Sequence, residues 1–135
     1  MQKLLFFVFL SSLCFSCKQN TGSNASSTNT QLNIDALTAS PANFKRLLEN
    51  DTVRVLDYTL KPGEKDQWHT HPPKSSYVVT GGRVKVFLEN GDTIIADEKA
   101  GDVSWKNYIG KHYVENIGST EVKVILTEVK LTTKH

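Results

Sequence analysis

The chain has 135 residues, which is room for one domain and too little for two independent cores. Lys and Arg number 16 and Asp and Glu 14, a formal net charge of +2, and the basic residues form no cluster that would follow a phosphate backbone, so no nucleic-acid partner is expected. The 2 cysteines, Cys14 and Cys17, stand close to the N-terminus, which leaves the rest of the chain without thiol chemistry or a disulfide.

The opening stretch MQKLLFFVFLSSLCFS has a positive start at Lys3 and an apolar run from Leu4 to Leu10, the pattern of a signal peptide over residues 1–16. The run is well short of the ~20 apolar residues that span a bilayer. Ser16 followed by Cys17 resembles the lipobox at which bacterial lipoproteins are cleaved and acylated, with a departure at Cys14, where that motif usually has Leu. Cys17 is therefore the expected lipidation site, and residues 17–31, rich in Ser, Thr and Asn, read as a polar tether. The expected location is the cell envelope, with a lipid anchor as the sole membrane contact and a folded domain over residues 32–135.

From Ser40 to Asn50 the sequence SPANFKRLLEN offers an N-cap candidate, a proline at the first helical position and Phe44, Leu47 and Leu48 on one face, which predicts one short helix. After Asp51 the composition changes to short runs of Val, Ile, Tyr and Thr punctuated by Gly, Asn, Asp and Pro. Strands are predicted over 53–60, 67–71, 76–80, 83–88, 93–97, 102–106, 111–116 and 121–130, with Asn90-Gly91 as the strongest hairpin signal. Many short strands in so little chain point to an all-β barrel or sandwich.

His69 and His71 lie two apart in PGEKDQWHTHPP, so on a strand both imidazoles face the same way and can converge on one ion. His112 stands 41 residues beyond His71 and needs the fold to bring it near. An isolated HxH occurs by chance as often as by design, and the surrounding residues decide its meaning.

Those residues resemble the cupin family in both of its signature regions. Gly63, His69, His71 and Gly82 match the first, and Gly101, His112 and Asn116 match the second at the family spacing. Similarity is greatest to small stand-alone cupins that share PGE, HxHP, YVV and ENIG, and it runs from about Leu47 to Leu131. The sequence departs from the pattern at Asn107 and Ile109, where cupins have Pro and Gly, with Gly110 next door. It also departs at Ser75, which stands where the family's glutamate ligand is expected. The resemblance implies a double-stranded β-helix, the cupin jelly-roll barrel, with one short N-terminal helix. It also implies a metal site on His69, His71 and His112. A set of imidazoles without a carboxylate suits Fe, Zn, Ni or Cu and disfavours Mg and Ca.

Other candidates carry two readings each. Gln67 is either a weak fourth ligand or a rim residue, and Asn116 either fixes the His112 ring or stabilises the turn at Gly118. Arg54 shares a face with Leu56 and Tyr58, and reads as an exposed strand arginine or, if inward, as the partner of an anion. Tyr77 either orients a substrate or packs in the barrel, with packing preferred, and Trp68 and Trp105 read as packing residues of the core or rim. The expected function is a metal-binding cupin of the envelope, either an enzyme acting on a small organic molecule or a non-catalytic binder of a metal or small ligand. An unprotected strand edge would allow a homodimer.

Overall fold

A computed structural model describes residues 34–130; the expected signal peptide, lipidation at Cys17 and polar tether lie outside the described residues. Helix α1 is a single turn, Ala36–Ala39, capped by the Asp35 side chain on Leu37 N. Eight strands follow: β1 (Phe44–Glu49), β2 (Val53–Leu60), β3 (Lys74–Thr80), β4 (Gly82–Leu88), β5 (Thr93–Glu98), β6 (Val103–Lys106), β7 (His112–Asn116) and β8 (Val122–Val129). They form a five-stranded sheet in the order β1-β2-β8-β3-β6 and a three-stranded sheet in the order β5-β4-β7.

The sequence pattern explains most of this arrangement. In β8 the residues VKVILTEV alternate buried with half-buried, so Val122, Val124, Leu126 and Glu128 face inward. In β2 Leu56, Tyr58 and Leu60 do the same. With Phe44, Val78, Val84 and Ala36 these side chains make one core, partly covered by Leu37, Ala96 and Val114.

Three expectations are corrected. The helix predicted over 40–50 is strand β1 preceded by a turn in which Asn43 N and Phe44 N both donate to Ser40 O. Phe44 is buried, whereas Leu47 and Leu48 are about half exposed at 51% and 50%, so no apolar helical face exists to bury. The segment instead pairs with β2, with a bulge between Arg46 and Leu48. The short helix lies upstream, at Ala36–Ala39.

The strand predicted over 67–71 is an irregular segment running beside β7. Asp66 N donates to Val114 O, but the return bond from Val114 N goes to the Asp66 side chain at 2.7 Å rather than to a backbone carbonyl, which interrupts the ladder.

The two sheets also do not close into the expected barrel. Among the described residues β5 pairs only with β4, and β6, four residues long, pairs only with β3. The result is a two-layer jelly roll that buries side chains between its sheets.

Candidate metal centre

His69 and His112 are held together by a reciprocal pair of backbone hydrogen bonds, His69 N to His112 O at 2.9 Å and His112 N to His69 O at 3.0 Å. This antiparallel bridge brings together residues that the sequence separates widely. The ring centroids of His69 lie 4.7 Å from those of His71 and 4.6 Å from those of His112. One ligand atom from each of the three lies within 4.8 Å of the others, and all three residues are buried. Nitrogens bound to one ion at ~2.1 Å span at most about 4.2 Å, so small side-chain rotations complete the convergence. Phe44 walls the site with edge-on contacts to His69 and His71.

The second partner of each ring decides its tautomer. His69 Nδ1 lies 2.7 Å from Gln67 O and His112 Nδ1 lies 3.0 Å from Gly110 O. Carbonyl oxygens only accept, so both nitrogens carry hydrogen and Nε2 keeps its lone pair. His71 Nδ1 meets the Glu128 carboxylate, which fixes the same tautomer there. Burial, as the largest cause, brings His69 down to about 3 and His112 down to about 4, and holds His71 well below the ordinary imidazole range. Three neutral, oriented rings with their outer nitrogens engaged by carbonyls or a carboxylate are the arrangement that metal-binding histidines require. The donor set therefore fits a divalent transition metal.

Several secondary candidates fall elsewhere. Gln67 serves the site through its backbone carbonyl, while the residue itself is exposed. Ser75 pairs with Trp105 and Thr127 across neighbouring strands, and its neighbours Lys74 and Ser76, not Ser75, line the site cavity. Gly110, adjacent to the departed motif position, has φ 82° and presents the carbonyl that His112 uses, a backbone state that favours glycine. Asn116 is fully buried, but its amide bonds Leu60 O, Thr120 O and Gly118 N, so it staples the turn. Tyr77 and Trp105 are about half exposed, at 49% and 55%, and Trp68 packs edge-on against Tyr113 at the rim.

Arg54 corrects the reading that preferred an exposed strand arginine. It is 15% exposed and bridges two carboxylates, Asp35 and Glu128, each at 2.6 Å. Two acids beside the site were missed altogether. Glu128 stands behind His71, and Asp66 accepts from Tyr58 Oη at 2.8 Å and from Val114 N. Burial raises Asp66 to about 6. A cavity of about 130 Å³ opens beside the histidines, lined by Val84 and Val86 from the three-stranded sheet and by Leu126, Lys74 and Lys106 from the five-stranded sheet.

No family model matches the chain. Over 83 residues, 59% of the chain, it is 34% identical to an oxalate decarboxylase of Bacillus subtilis strain 168, and it spans 21% of that protein's length. Among solved structures, a cupin domain from Bordetella pertussis Tohama I is 21% identical and superposes with a TM-score of 0.60 over 65% of this chain and 92% of that one. A protein with a double-stranded β-helix domain from Klebsiella pneumoniae is 22% identical, with a TM-score of 0.53 over 64% of this chain and 74% of that one. An RmlC-like cupin from Methanocaldococcus jannaschii is 17% identical, again with a TM-score of 0.53 over 64% of this chain and 77% of that one. Two facing sheets in jelly-roll order, a histidine cluster between them and these likenesses together give the chain the cupin double-stranded β-helix fold.

Proposed function

We propose that this cupin binds a divalent transition metal, Fe, Zn, Ni or Cu, through His69, His71 and His112, and acts on a small organic molecule at the cell envelope, anchored by a lipid on Cys17. The observation that carries the metal reading is the common engagement of Nδ1 in all three buried rings, which leaves three Nε2 lone pairs for one ion. The envelope reading rests on the leader, the Ser16-Cys17 junction and the polar tether. When bound, the metal supplies Lewis acidity or, if redox-active, O₂-linked chemistry. The chain's own residues orient the rings, keep them neutral and line the cavity in which the small molecule sits.

A second reading is a binder without turnover. It is favoured by the two buried carboxylates next to the rings, Asp66 and Glu128, which are both committed to protein partners and so are poorly placed to act as a general base.

The test of the metal site is elemental mass spectrometry on the untagged protein beside a His69→Ala/His71→Ala variant. Near-stoichiometric metal in the parent and none in the variant is expected. A parent that stays metal-free after reconstitution with Fe, Zn, Ni and Cu overturns the reading. Substrate-dependent product formation separates the enzyme from the binder.

A further inference from the structure

We propose that the cavity beside the histidines takes a small carboxylate, gripped by the Lys74 ammonium with Lys106 next to it. The proposal rests on the metal reading for what stands behind the ligand and on the surroundings of Lys74 for the ligand's charge.

Lys74 opens β3 and lines the cavity with Ser76 and the three histidines. Its register partners are Glu128 on β8 and Lys106 on β6. Glu128 is the natural counter-charge, but its two oxygens are turned to Arg54 and His71. Asp66, which also lines the cavity, is occupied by Tyr58 and by Val114 N. Glu98, a further lining acid, sits on β5 opposite Gly82 and forms no ion pair with either lysine. Among the described residues the Lys74 ammonium makes no side-chain hydrogen bond and no ion pair; the residue is half-buried, and its charge feels Glu128 and Asp66 only through space.

Placing Lys106 beside it makes the arrangement costlier, because like charges on directly paired strand positions repel. An anion between the two ammonium groups removes both costs, and a carboxylate can accept from both. Burial already brings Lys74 down to about 7, and a bound anion favours its charged form. A cavity of about 130 Å³ is close in size to the ~150 Å³ that holds a benzene molecule, so the ligand has roughly six non-hydrogen atoms. Its carbon skeleton would lie against Val84, Val86 and Leu126.

Titration calorimetry on the full chain loaded with Co²⁺ tests this, with malonate as the probe and malonamide as its uncharged counterpart. Malonate should bind saturably and malonamide should not. Lys74→Met should weaken malonate by about ten- to a hundredfold, the worth of one hydrogen bond to a charged group, with cobalt uptake unchanged. Lys74→Arg should retain more affinity than Lys74→Met. Equal malonate affinity in Lys74→Met and parent, or equal binding of malonate and malonamide, overturns the proposal. If Lys74→Met also loses cobalt, the contrast between the two probes in the parent decides alone. If the parent takes up no cobalt, the metal reading fails, while Lys74-dependent malonate binding to the metal-free chain would still uphold the carboxylate site.

Discussion

Nε of Arg54 lies 2.6 Å from Oε2 of Glu128, whose other carboxylate oxygen accepts from His71 Nδ1. With the second Arg54 contact, to Asp35 at 2.6 Å, this makes a charged chain from a partly exposed acid to a histidine at the centre of the site. A carboxylate behind an imidazole raises its basicity and holds its plane. Glu128→Gln keeps the shape and removes the charge. Metal affinity, measured by competition with a chromogenic chelator, should fall about ten- to a hundredfold. Unchanged affinity would mean that the Glu128 charge plays no part in metal binding.

Arg54→Met acts on the same chain with a different outcome. Glu128 is 1% exposed, and without the guanidinium its charge would be buried with neutral His71 as its hydrogen-bond partner and only the through-space pull of Lys74. Breaking a buried pair from one side costs about 3 to 5 kcal/mol. The urea midpoint should drop accordingly at pH 7. The double variant Arg54→Met/Glu128→Leu should recover much of the loss, since it leaves no orphaned charge.

The buried histidines make the metal-free protein sensitive to mild acid. Their folded pKa values lie below the unfolded value near ~6.5, at about 3 for His69, about 4 for His112 and well below the ordinary range for His71. Between roughly pH 6 and 4 the unfolded chain therefore binds protons that the folded chain refuses, and stability falls as pH falls. Asp66 opposes this, because its pKa raised to about 6 makes the folded state bind a proton first. Three histidines against one aspartate leave a net loss of roughly 2 to 3 kcal/mol per pH unit near pH 5. Urea unfolding of metal-free protein at pH 7 and pH 5 checks the sign. Equal or greater stability at pH 5 would show that the rings are not held neutral.

Most strands were legible because period-2 alternation and turn residues are local signals, whereas His69 and His71 meet at one candidate metal site although the strand expected to align them is an irregular segment. The partners of the histidines were not legible. Glu128 lies 57 residues from His71 in sequence, and Asp66 engages the backbone of Val114 from 48 residues away. One signal was nevertheless present. In β8, Glu128 occupies the inward slot that Val122, Val124 and Leu126 fill before it, and in β2 Arg54 occupies the slot shared with Leu56, Tyr58 and Leu60. An acid and a base in otherwise apolar inward rows of paired strands are cross-strand partners, as the register Arg54↔Glu128 shows. The 40–50 segment was misread because its Pro, Phe and Leu spacing suits a helix, while the available hydrogen-bond partner is an open edge of β2.

Asn116 supports the fold rather than the metal. Its side chain donates at 2.8 Å to both Leu60 O and Thr120 O and accepts from Gly118 N at 2.9 Å. Asn116→Ala leaves these backbone groups buried with fewer partners, a loss of about 2 to 4 kcal/mol. The expected signature is a lower urea midpoint with cobalt stoichiometry unchanged. A variant with normal stability and impaired metal binding would restore the ring-fixing role.

Gly81 tests how closely the β3–β4 corner approaches the chain beyond β5. A Cβ at Gly81 would lie 2.3 Å from Glu98 O and 3.1 Å from Ala100 N, both backbone atoms that cannot swing aside. Gly91 is the counter-case, since a Cβ there meets nothing within 4 Å and the cost is only the strain of φ 90°. That strain is worth about 1 to 2 kcal/mol for an L-residue. Gly81→Ala has to displace the 98–100 segment or the corner itself, so it should lower the urea midpoint by more than Gly91→Ala does. Displacement of 98–100 would also move Glu98 in the cavity wall, and malonate affinity should change in Gly81→Ala and stay at the parent value in Gly91→Ala. If the two variants are equally stable, the close approach at Gly81 relaxes at little cost and the corner does not hold the cavity wall in place.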